Sequence, residues 1–400
     1  MKTTLLLLAL VGLAFSVVIK QQARKTGSLH AKLMKEGRYA DFLAKQHLAR
    51  IESAGSNSAV ASQPFIDTSD YYYTGDIGLG TPYQNFTVVL DTGSSTTWVI
   101  DAACTAPDCV GYLASGYLKH RFDTSQSSTF VKTSQTFVID YGAPTGKCTG
   151  NIATDVLNLA GLVYPTQGLG VATSIPEPFG EEPIDGYLGL GWPALAVNDV
   201  VPPIQNLLDQ LDQPLFTIWL DRHVTAYETA LGGLITYGGL DGVNCDAQID
   251  YVTLSSKTYW QFPMTSFSVG SYSANAKQEV ISDTGTPWIG APTDAVAGII
   301  KAIGAKYDWM NQVYTIPCKG TYPDMIFTIG GKSYNVPSSE YVIDLWHDHL
   351  GTCVVTISEL AGGGFGPTWV LGDTWIRTYC NVHDVGQGRI GFAKAHHTEI

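Results

Sequence analysis

Two stretches that each end in Asp-Thr-Gly decide the fold of this 400-residue chain. The first is Phe86-Thr-Val-Val-Leu-Asp91-Thr-Gly-Ser94, and the second is Gln278-Glu-Val-Ile-Ser-Asp283-Thr-Gly-Thr286. Each is a short run rich in apolar and β-branched residues that stops at an aspartate and a glycine, which is typical of a strand followed by a tight loop. One copy alone indicates only an ordinary turn, but the two aspartates lie 192 residues apart in closely similar settings.

A second element also recurs, downstream of each Asp-Thr-Gly stretch. Tyr187-Leu188-Gly189 follows the first copy, and Val370-Leu371-Gly372 follows the second. Self-similarity of this kind indicates a duplicated unit. The sequence therefore predicts two related halves, each of which contributes one strand and one Asp-Thr-Gly loop.

The texture of the chain from residue 71 onward is that of a mostly β protein. Apolar content of 45% and charged content of 15% are normal for a folded protein, and 42 glycines provide for many turns. Short apolar or alternating runs between turn residues predict strands at Tyr71–Leu79, Phe86–Leu90, Trp98–Ile100, Thr136–Tyr141, Leu215–Leu220, Leu234–Tyr237 and Tyr251–Leu254. Helical stretches are few, with Pro203–Leu211 and Ala295–Ile303 as examples.

Charge is divided unevenly along the chain. Residues 1–60 contain nine of the 23 basic and three of the 36 acidic residues, which leaves a net charge of −19 on the remainder. An acidic body does not fit nucleic-acid binding, which requires a basic surface. A basic arm on an acidic body fits an arm that docks electrostatically on its own chain.

The N-terminus has the features of a secretory signal peptide over residues 1–16. Lys2 precedes the apolar stretch Leu5–Leu13, and Ala14-Phe15-Ser16 is a small-x-small cleavage site. The alternative, a membrane anchor, is disfavoured because the apolar run is too short for a comfortable span. No membrane anchor is therefore predicted, and secretion would permit disulfide bonds.

The segment that follows, residues 17–60, is basic and favours helix. Its apolar residues recur near helical spacing: Leu29, Leu33, Phe42, Leu43 and Leu48. Residues 53–63 are small and polar without apolar periodicity, which indicates a linker and a natural processing site.

The residues around Asp91 and Asp283 resemble the two active-site signatures of the pepsin-like aspartic proteases. Gly78–Pro82 resembles the entry to the family's first catalytic strand, Phe137–Gly142 the flap and Ile184–Gly191 the support loop. Gly372–Arg377 resembles the C-terminal return, and Lys25–Leu48 is similar to the propeptide. Short phrases are similar to nematode intestinal members, namely Gln84–Thr87, Asn244-Cys245 and Tyr379–Val382. The resemblance covers nearly the whole chain.

The resemblance implies a fold and a domain organisation. The expected fold is mostly β, a bilobal pepsin-like double β-barrel with a few short helices and an active-site cleft between the lobes. The expected domains are a signal peptide (1–16), an inhibitory propeptide (17–60), an N-terminal lobe with the flap (61–243) and a C-terminal lobe (244–400). In related zymogens a propeptide lysine contacts the dyad, whereas this sequence has Leu48-Ala-Arg50 there.

Paired carboxyl groups suit peptide hydrolysis, since together with water they supply a nucleophile, a proton acceptor and a proton donor. Two such groups in contact cannot both ionise easily, so the pair holds one proton over a wide acid range. The resemblance makes Asp91 and Asp283 this catalytic pair. Gly93 and Gly285 would let the backbone turn tightly and approach the dyad. The resemblance also implies that Thr92 and Thr284 cross-link the two loops. It further implies that Ser94 and Thr286 donate to the outer oxygens of the adjacent aspartates.

Tyr141 and Gly142 are the predicted substrate-binding residues of the flap. Taken alone, Tyr141 would be interpreted as a strand aromatic facing the core, and the resemblance favours a hairpin that closes over substrate and excludes water. The flap tip between Tyr141 and Gly150 is about two residues longer than usual in the family.

Seven cysteines leave at least one without an intramolecular partner. Cys104 and Cys109 flank a short loop and are the easiest local pair, and the resemblance implies both Cys104–Cys109 and Cys318–Cys353. Cys245 and Cys380 are candidates for a third pair, which would leave Cys148 as a partly shielded free thiol in the flap. The single glycosylation sequon begins at Asn85.

The function that the resemblance implies is an acid aspartic endopeptidase, made as a zymogen and either secreted (gut lumen or extracellular) or lysosomal. Its expected partners are protein and peptide substrates, its own propeptide and pepstatin-like inhibitors, and a monomer is expected. No Cys-x-x-Cys or His-x-x-x-His spacing indicates zinc, so neither a metal nor a cofactor is predicted. The alternative is a catalytically silent pepsin-like glycoprotein that binds peptides.

Overall fold

The computed structural model describes residues 19–25, 73–112, 117–140, 147–221, 231–344, 351–360 and 367–397. Strands dominate these residues and form three sheets. The prediction of a mostly β protein is therefore confirmed. The signal-peptide region 1–16, most of the predicted propeptide and the flap residues Tyr141 and Gly142 lie outside the described residues.

The largest sheet has thirteen strands among the described residues, in the order β11-β26-β25-β9-β10-β1-β2-β3-β8-β4-β7-β6-β5. Its members are β1 (Ile19–Lys25), β2 (Tyr73–Leu79), β3 (Gln84–Asp91), β4 (Trp98–Ile100), β5 (Val131–Ile139), β6 (Cys148–Leu159), β7 (Leu162–Ser174), β8 (Gly186–Gly189), β9 (Leu215–Leu220), β10 (Leu231–Tyr237), β11 (Asp250–Thr253), β25 (Tyr379–Asp384) and β26 (Arg389–Lys394). An additional pairing of β2 with β6 closes the six strands from β2 to β6 into a ring. Strands of both predicted lobes share this sheet, since β25 pairs with β9.

Two smaller sheets belong to the second half of the chain. Nine strands form one of them: β12 (Ser256–Lys257), β13 (Trp260–Val269), β14 (Tyr272–Ala274), β15 (Gln278–Ser282), β16 (Ile289–Ala291), β19 (Met325–Ile329), β20 (Lys332–Val336), β23 (Ile357–Glu359) and β24 (Trp369–Leu371). The other has four: β17 (Lys306–Asp308), β18 (Val313–Pro317), β21 (Val342–Ile343) and β22 (Thr352–Val355). The lobe boundary predicted between residues 243 and 244 falls in the loop between β10 and β11.

Helices are short in the described part of the chain. The α-helices are α1 (Pro107–Val110), α2 (Glu177–Glu181), α3 (Pro203–Leu207), α4 (Thr293–Ile303), α5 (Ser338–Tyr341) and α6 (Asp373–Ile376). Single 3₁₀ turns lie at Thr124–Gln126, Pro193–Leu195, Val197–Asp199 and Leu208–Gln210. The longest helix, α4, buries Ala295, Val296, Ile299 and Ile303 at helical spacing and ends at Gly304, which adopts the left-handed conformation that favours glycine.

The two Asp-Thr-Gly stretches occupy matching places in the two halves. β3 pairs in parallel with β8, so that Leu90 is opposite Leu188. β15 pairs in parallel with β24, so that Ile281 is opposite Val370. The downstream apolar elements found by sequence comparison are thus the parallel neighbours of the two Asp-bearing stretches, as expected for a duplicated unit.

The predicted strands are present, with ends that differ by up to five residues. The run at 98–100 and the run at 215–220 match the observed strands, whereas the run predicted to start at Thr136 is part of β5, which starts at Val131. The helix predicted at Pro203–Leu211 is instead α3 followed by a 3₁₀ turn. Two long strands, β6 and β7, were not among the predicted runs.

The basic N-terminal arm differs from the prediction in its first part. Residues 19–25 form a strand, not a helix, and β1 lies between β10 and β2. Its backbone pairs with six residues of β10, so the ladder of the large sheet overrides the local helix preference. The leucines on which the helix prediction rests lie outside the described residues.

All seven cysteines lie in the described part of the chain. Disulfides join Cys104 to Cys109, Cys245 to Cys380 and Cys318 to Cys353, as predicted. Cys148 is free, but the expectation of a partly shielded thiol is wrong because its side chain is fully buried at the start of β6. Burial raises the pKa of this thiol well above its ordinary value, which makes it unreactive in the folded protein.

Candidate active site

Asp91 and Asp283 meet at the junction of the two halves. Asp91 is the last residue of β3, and Asp283 directly follows the last residue of β15. Both side chains are buried, with exposed fractions of 1% and 0%, and their carboxyl groups lie close enough to interact directly. The two aspartates that the sequence singled out therefore form one contiguous carboxyl pair.

Each carboxyl group is held by its own loop in the same way. The Gly93 N–H donates to Asp91 Oδ1 at 2.8 Å, and the Ser94 hydroxyl donates to Asp91 Oδ2 at 2.5 Å. In the second half, the Gly285 N–H donates to one oxygen of Asp283 at 2.8 Å and the Thr286 hydroxyl to the other at 2.7 Å. These four donors fix the planes of both carboxyl groups.

Thr92 and Thr284 join the two loops by reciprocal hydrogen bonds. The Thr92 N–H donates to Thr284 Oγ1 at 2.9 Å, and the Thr284 N–H donates to Thr92 Oγ1 at 3.0 Å. Each hydroxyl then donates across to a carbonyl of the other strand, that of Ser282 at 3.1 Å and that of Leu90 at 2.5 Å. All of these groups are buried, so the two loops cannot separate without leaving polar groups unpaired.

Gly93 and Gly285 are needed for space and not for an unusual backbone conformation. Neither has a positive φ, in contrast to ten other glycines of the described chain. A Cβ on Gly93 would lie 2.3 Å from Asp283 Oδ1, and one on Gly285 would lie 2.6 Å from Asp91 Oδ1. Each glycine thus lets the backbone of one loop approach the carboxyl group of the other, and any larger residue would displace the dyad.

The environment of the pair favours retention of a proton. Burial raises the pKa of Asp91, against the lowering effect of the Ser94 hydroxyl and the Gly93 N–H. Burial also raises the pKa of Asp283, and the negative charge of Asp91 raises it further. Because the two groups interact directly, the proton belongs to the pair and not to one residue.

Supporting contacts that the sequence analysis did not identify surround the dyad. The Ser282 hydroxyl donates to Asn381 Oδ1 at 2.9 Å, which ties the Asp283 strand to β25. Asp185, directly before β8, accepts a hydrogen bond from the Thr87 N–H at 2.8 Å and so contacts β3. Ser282 adjoins the second Asp-Thr-Gly copy and Asp185 lies in the segment that resembles the support loop, so proximity to these motifs was the available signal.

Comparison with known proteins identifies the family. The profile of the family described as "Eukaryotic aspartyl protease" matches residues 72–395. The chain is 53% identical over 398 residues to "Aspartic protease 1" of Caenorhabditis elegans, covering 98% of this chain and 99% of that protein. It is 34% identical over 407 residues to "Pepsin A" of Suncus murinus (98% and 99%) and 33% identical over 435 residues to "Aspartic protease 2" of Necator americanus (99% and 100%).

The chain therefore belongs to the eukaryotic aspartyl protease family, and it has the mostly β, bilobal pepsin-like fold. It is an aspartic-type peptide hydrolase. Within the described residues, none of the helices combines the length and the apolar character required to cross a membrane. The same residues contain no cluster of three or more His, Cys, Asp or Glu side chains arranged to hold a metal ion.

Proposed function

We propose that Asp91 and Asp283 are the catalytic residues of an acid endopeptidase that cleaves proteins by a water molecule activated between the two carboxyl groups. The observation that carries this proposal is the buried carboxyl pair within two matching sets of donors. The ionised carboxyl takes a proton from water, and the water oxygen attacks the scissile carbonyl. The protonated carboxyl polarises that carbonyl, and a proton is then delivered to the leaving amine.

The two oxygens of each carboxyl group have different surroundings, which supports different roles for them in the reaction. The hydroxyl groups of Ser94 and Thr286 each donate to Oδ2 of their own aspartate. A side chain at Gly93 or Gly285 would collide with Oδ1 of the opposite aspartate. The Oδ1 atoms therefore lie toward the junction of the two loops. An acyl group seated there would find its proton donor and acceptor already oriented, which lowers the entropic cost of reaction.

Cleavage of haemoglobin at pH 2–6 by the acid-treated protein, with and without pepstatin, tests this proposal. We expect pepstatin-sensitive cleavage by the wild type, and none by Asp91→Asn. A purified wild-type protein without pepstatin-sensitive cleavage anywhere in this pH range would instead favour the silent peptide-binding glycoprotein. The intact Asp-Thr-Gly loops and their complete set of hydrogen bonds support the enzyme over that alternative.

The same protein is made as a zymogen whose residues 17–60 form an inhibitory propeptide and whose residues 1–16 direct it into the secretory pathway. The position of β1 inside the large sheet supports a segment that is bound to the body of the enzyme. Lys20 Nζ lies 3.5 Å from Asp241 Oδ1, and this carboxylate also accepts hydrogen bonds from the Val243 N–H and from the N–H and side chain of Asn244. Although burial opposes ionisation, the Asn244 and Val243 hydrogen bonds and the charge of Lys20 hold the pKa of Asp241 below its ordinary value.

Acid weakens this anchor of the N-terminal arm. A carboxyl group whose pKa is lowered by folding contributes stability above its unfolded pKa, and this contribution is lost as the pH falls through the folded pKa. Lys20 then loses its counter-charge, in keeping with activation at low pH. Sequencing of the N-terminus after acid treatment tests the boundary, with a new terminus expected between Ser53 and Phe65, and a terminus that still includes β1 in the fully active enzyme would contradict the propeptide assignment.

Localisation follows from the family and from the N-terminal sequence. Pepsin-like aspartic proteases are typically secreted or lysosomal, and the proposed destination here is the gut lumen, the extracellular space or the lysosome. Asn85 is exposed on β3, which leaves room for the proposed glycan. A mass decrease on treatment with an N-glycosidase, absent in Asn85→Gln, is the expected result for protein made in a eukaryotic secretory host.

A further inference from the structure

Lys119 carries a buried ammonium group outside the catalytic pair. Its exposed fraction is 7%, and its Nζ donates to three backbone carbonyls: those of Phe179, Glu182 at 2.5 Å and Ile184 at 2.7 Å. An ammonium has three N–H donors, so all of them are satisfied. These carbonyls belong to the end of α2 and the turn that leads into β8, a stretch that we name the 179–184 segment.

The residues around Lys119 are fixed to two other parts of the first half. The Lys119 N–H donates to the Val110 carbonyl at 3.0 Å, at the end of the helix that contains the disulfide-bonded Cys109. On either side of Lys119, the Tyr117 hydroxyl and the His120 N–H donate to Asp185 Oδ1 at 2.9 and 2.7 Å. Residues 117–120 therefore hold both the 179–184 segment and the carboxylate that follows it.

Asp185 connects the 179–184 segment to the strand that ends in Asp91. Its Oδ2 accepts a hydrogen bond from the Thr87 N–H at 2.8 Å, and its own N–H donates to the Thr87 carbonyl at 2.7 Å. The next residues form β8, which pairs with β3 up to Asp91, and the Leu190 N–H donates to the Asp91 carbonyl at 2.8 Å. The Phe179 ring also packs against Tyr187 of β8, with ring centroids 5.6 Å apart.

We propose that Lys119 is a positioning residue for catalysis, whose ammonium holds the 179–184 segment and β8 so that β3 presents Asp91 to Asp283 in the reactive geometry. This inference rests on the proposed catalytic role of the aspartate pair. The contacts run without interruption from the three carbonyls bound by Lys119, through Ile184 and Asp185, to Thr87 of β3. Replacement of the ammonium by an apolar group would remove a donor from each of these three carbonyls and leave those of Glu182 and Ile184 without the hydrogen bond from Lys119.

The charge on Lys119 depends on pH within an accessible range. Burial lowers the pKa of Lys119 to about 8, although the nearby carboxylates of Glu182, Asp185 and Asp108 act in the opposite direction. The other titratable groups that face it are Tyr117, whose pKa is raised by burial and by Asp185, and the exposed His120, whose Nδ1 lies 3.0 Å from Asp185 Oδ2. Lys119 is thus charged throughout the acid range and loses its proton above about pH 8.

The first test compares Lys119→Met with Lys119→Arg in the activated enzyme. We measure hydrolysis of an internally quenched peptide at acid pH and count active sites by pepstatin titration. Because small displacements of reacting groups cost up to about 100-fold in rate, kcat per site should fall about tenfold or more in Lys119→Met, with KM changed less than about threefold. Lys119→Arg should retain kcat within about threefold, and Lys132→Met, at an exposed site on β5, is the control for loss of a lysine charge.

The second test uses pH and remains informative if Lys119→Met does not fold. Enzyme is held at pH 6.5–9.5, returned to acid, and assayed for remaining activity. The wild type should lose activity in a step near pH 8, and Lys119→Arg should move this step upward by at least about one pH unit, because a guanidinium stays protonated there. An unchanged step in Lys119→Arg, or an unchanged kcat in Lys119→Met, would overturn the positioning role, whereas a wild type without pepstatin-sensitive activity would instead refute the proposed function.

Discussion

The substitution Asp283→Asn tests whether the two buried carboxyl groups share one proton. An amide has nearly the same shape and can still hydrogen-bond to Asp91, but it can neither accept nor supply the proton that the reaction needs. We expect kcat to fall about 1000-fold or more, because general acid–base catalysis contributes factors of about 10²–10⁴. Activity alone would not separate the loss of a shared proton from a shift of the loops, so the pH dependence of stability is the more specific measurement.

The expected magnitude comes from proton counting. Burial and the charge of Asp91 raise the pKa of Asp283. A group whose pKa is raised by folding contributes stability below its unfolded pKa, about 3.9 for Asp, and this contribution is lost as the pH rises through the folded pKa. Between about pH 5 and the raised pKa of Asp283, about 8, the unfolded chain has released both protons while the native pair retains one. Within that window the pair makes the free energy of unfolding fall by about 1.4 kcal/mol per pH unit.

The variant should have a shallower slope, because Asp91 then faces a neutral amide that donates to it, although burial still raises the pKa of Asp91. Urea unfolding of the full chain, followed by tryptophan fluorescence at pH 5, 6 and 7, measures the difference. Relative to the wild type, Asp283→Asn should gain up to about 3 kcal/mol between pH 5 and pH 7. The exposed Asp294, in the first turn of α4, provides the control Asp294→Asn, which should follow the wild type, and parallel pH profiles for Asp283→Asn and the wild type would refute the shared proton.

Three further substitutions or reagents address the loops and the free thiol. Gly93→Ala should lower kcat/KM for a peptide substrate by about 100-fold, because its Cβ would lie 2.3 Å from Asp283 Oδ1. The control Gly242→Ala should retain the wild-type kcat/KM, because its Cβ would have no neighbour within 4 Å. Thr284→Val leaves the buried Thr92 N–H without its acceptor and should lower the free energy of unfolding by about 1–3 kcal/mol in urea, and a loss below about 0.5 kcal/mol would contradict the cross-link. Without reductant, Cys148 should react with a thiol reagent only in denaturant, one equivalent per chain, and fast reaction of the native protein would argue against its burial.

Much of the site could be predicted from the sequence because the dyad is built from local motifs. Each carboxyl group accepts hydrogen bonds from the second and third residues after it, Gly93 and Ser94 in the first loop and Gly285 and Thr286 in the second. Short motifs with fixed spacing fix such contacts, and the duplicated pattern brings the two copies together. The reason for the glycines was only partly predictable, since the space that they leave is occupied by the opposite aspartate, a non-local neighbour.

Other elements could not be predicted, for identifiable physical reasons. β6 alternates buried and partly exposed positions, but small and polar residues such as Gly150, Asn151 and Thr154 interrupt its apolar pattern. β1 is a strand because β10 and β2 offer it two ladders, and this information lies more than 45 residues away in the sequence. The cage around Lys119 is made of backbone carbonyls, which no side-chain pattern reveals.

The supports behind the two Asp loops differ although the loops match. Behind Asp91 the support is charged, since Asp185 and Lys119 hold the turn before β8. Behind Asp283, the contact between the Ser282 hydroxyl and the Asn381 amide oxygen is neutral. The duplicated sequence therefore predicts the symmetric dyad but not this asymmetry. Because Lys119 in the first support loses its proton above about pH 8, loss of the reactive geometry at high pH should begin in the half that carries Asp91.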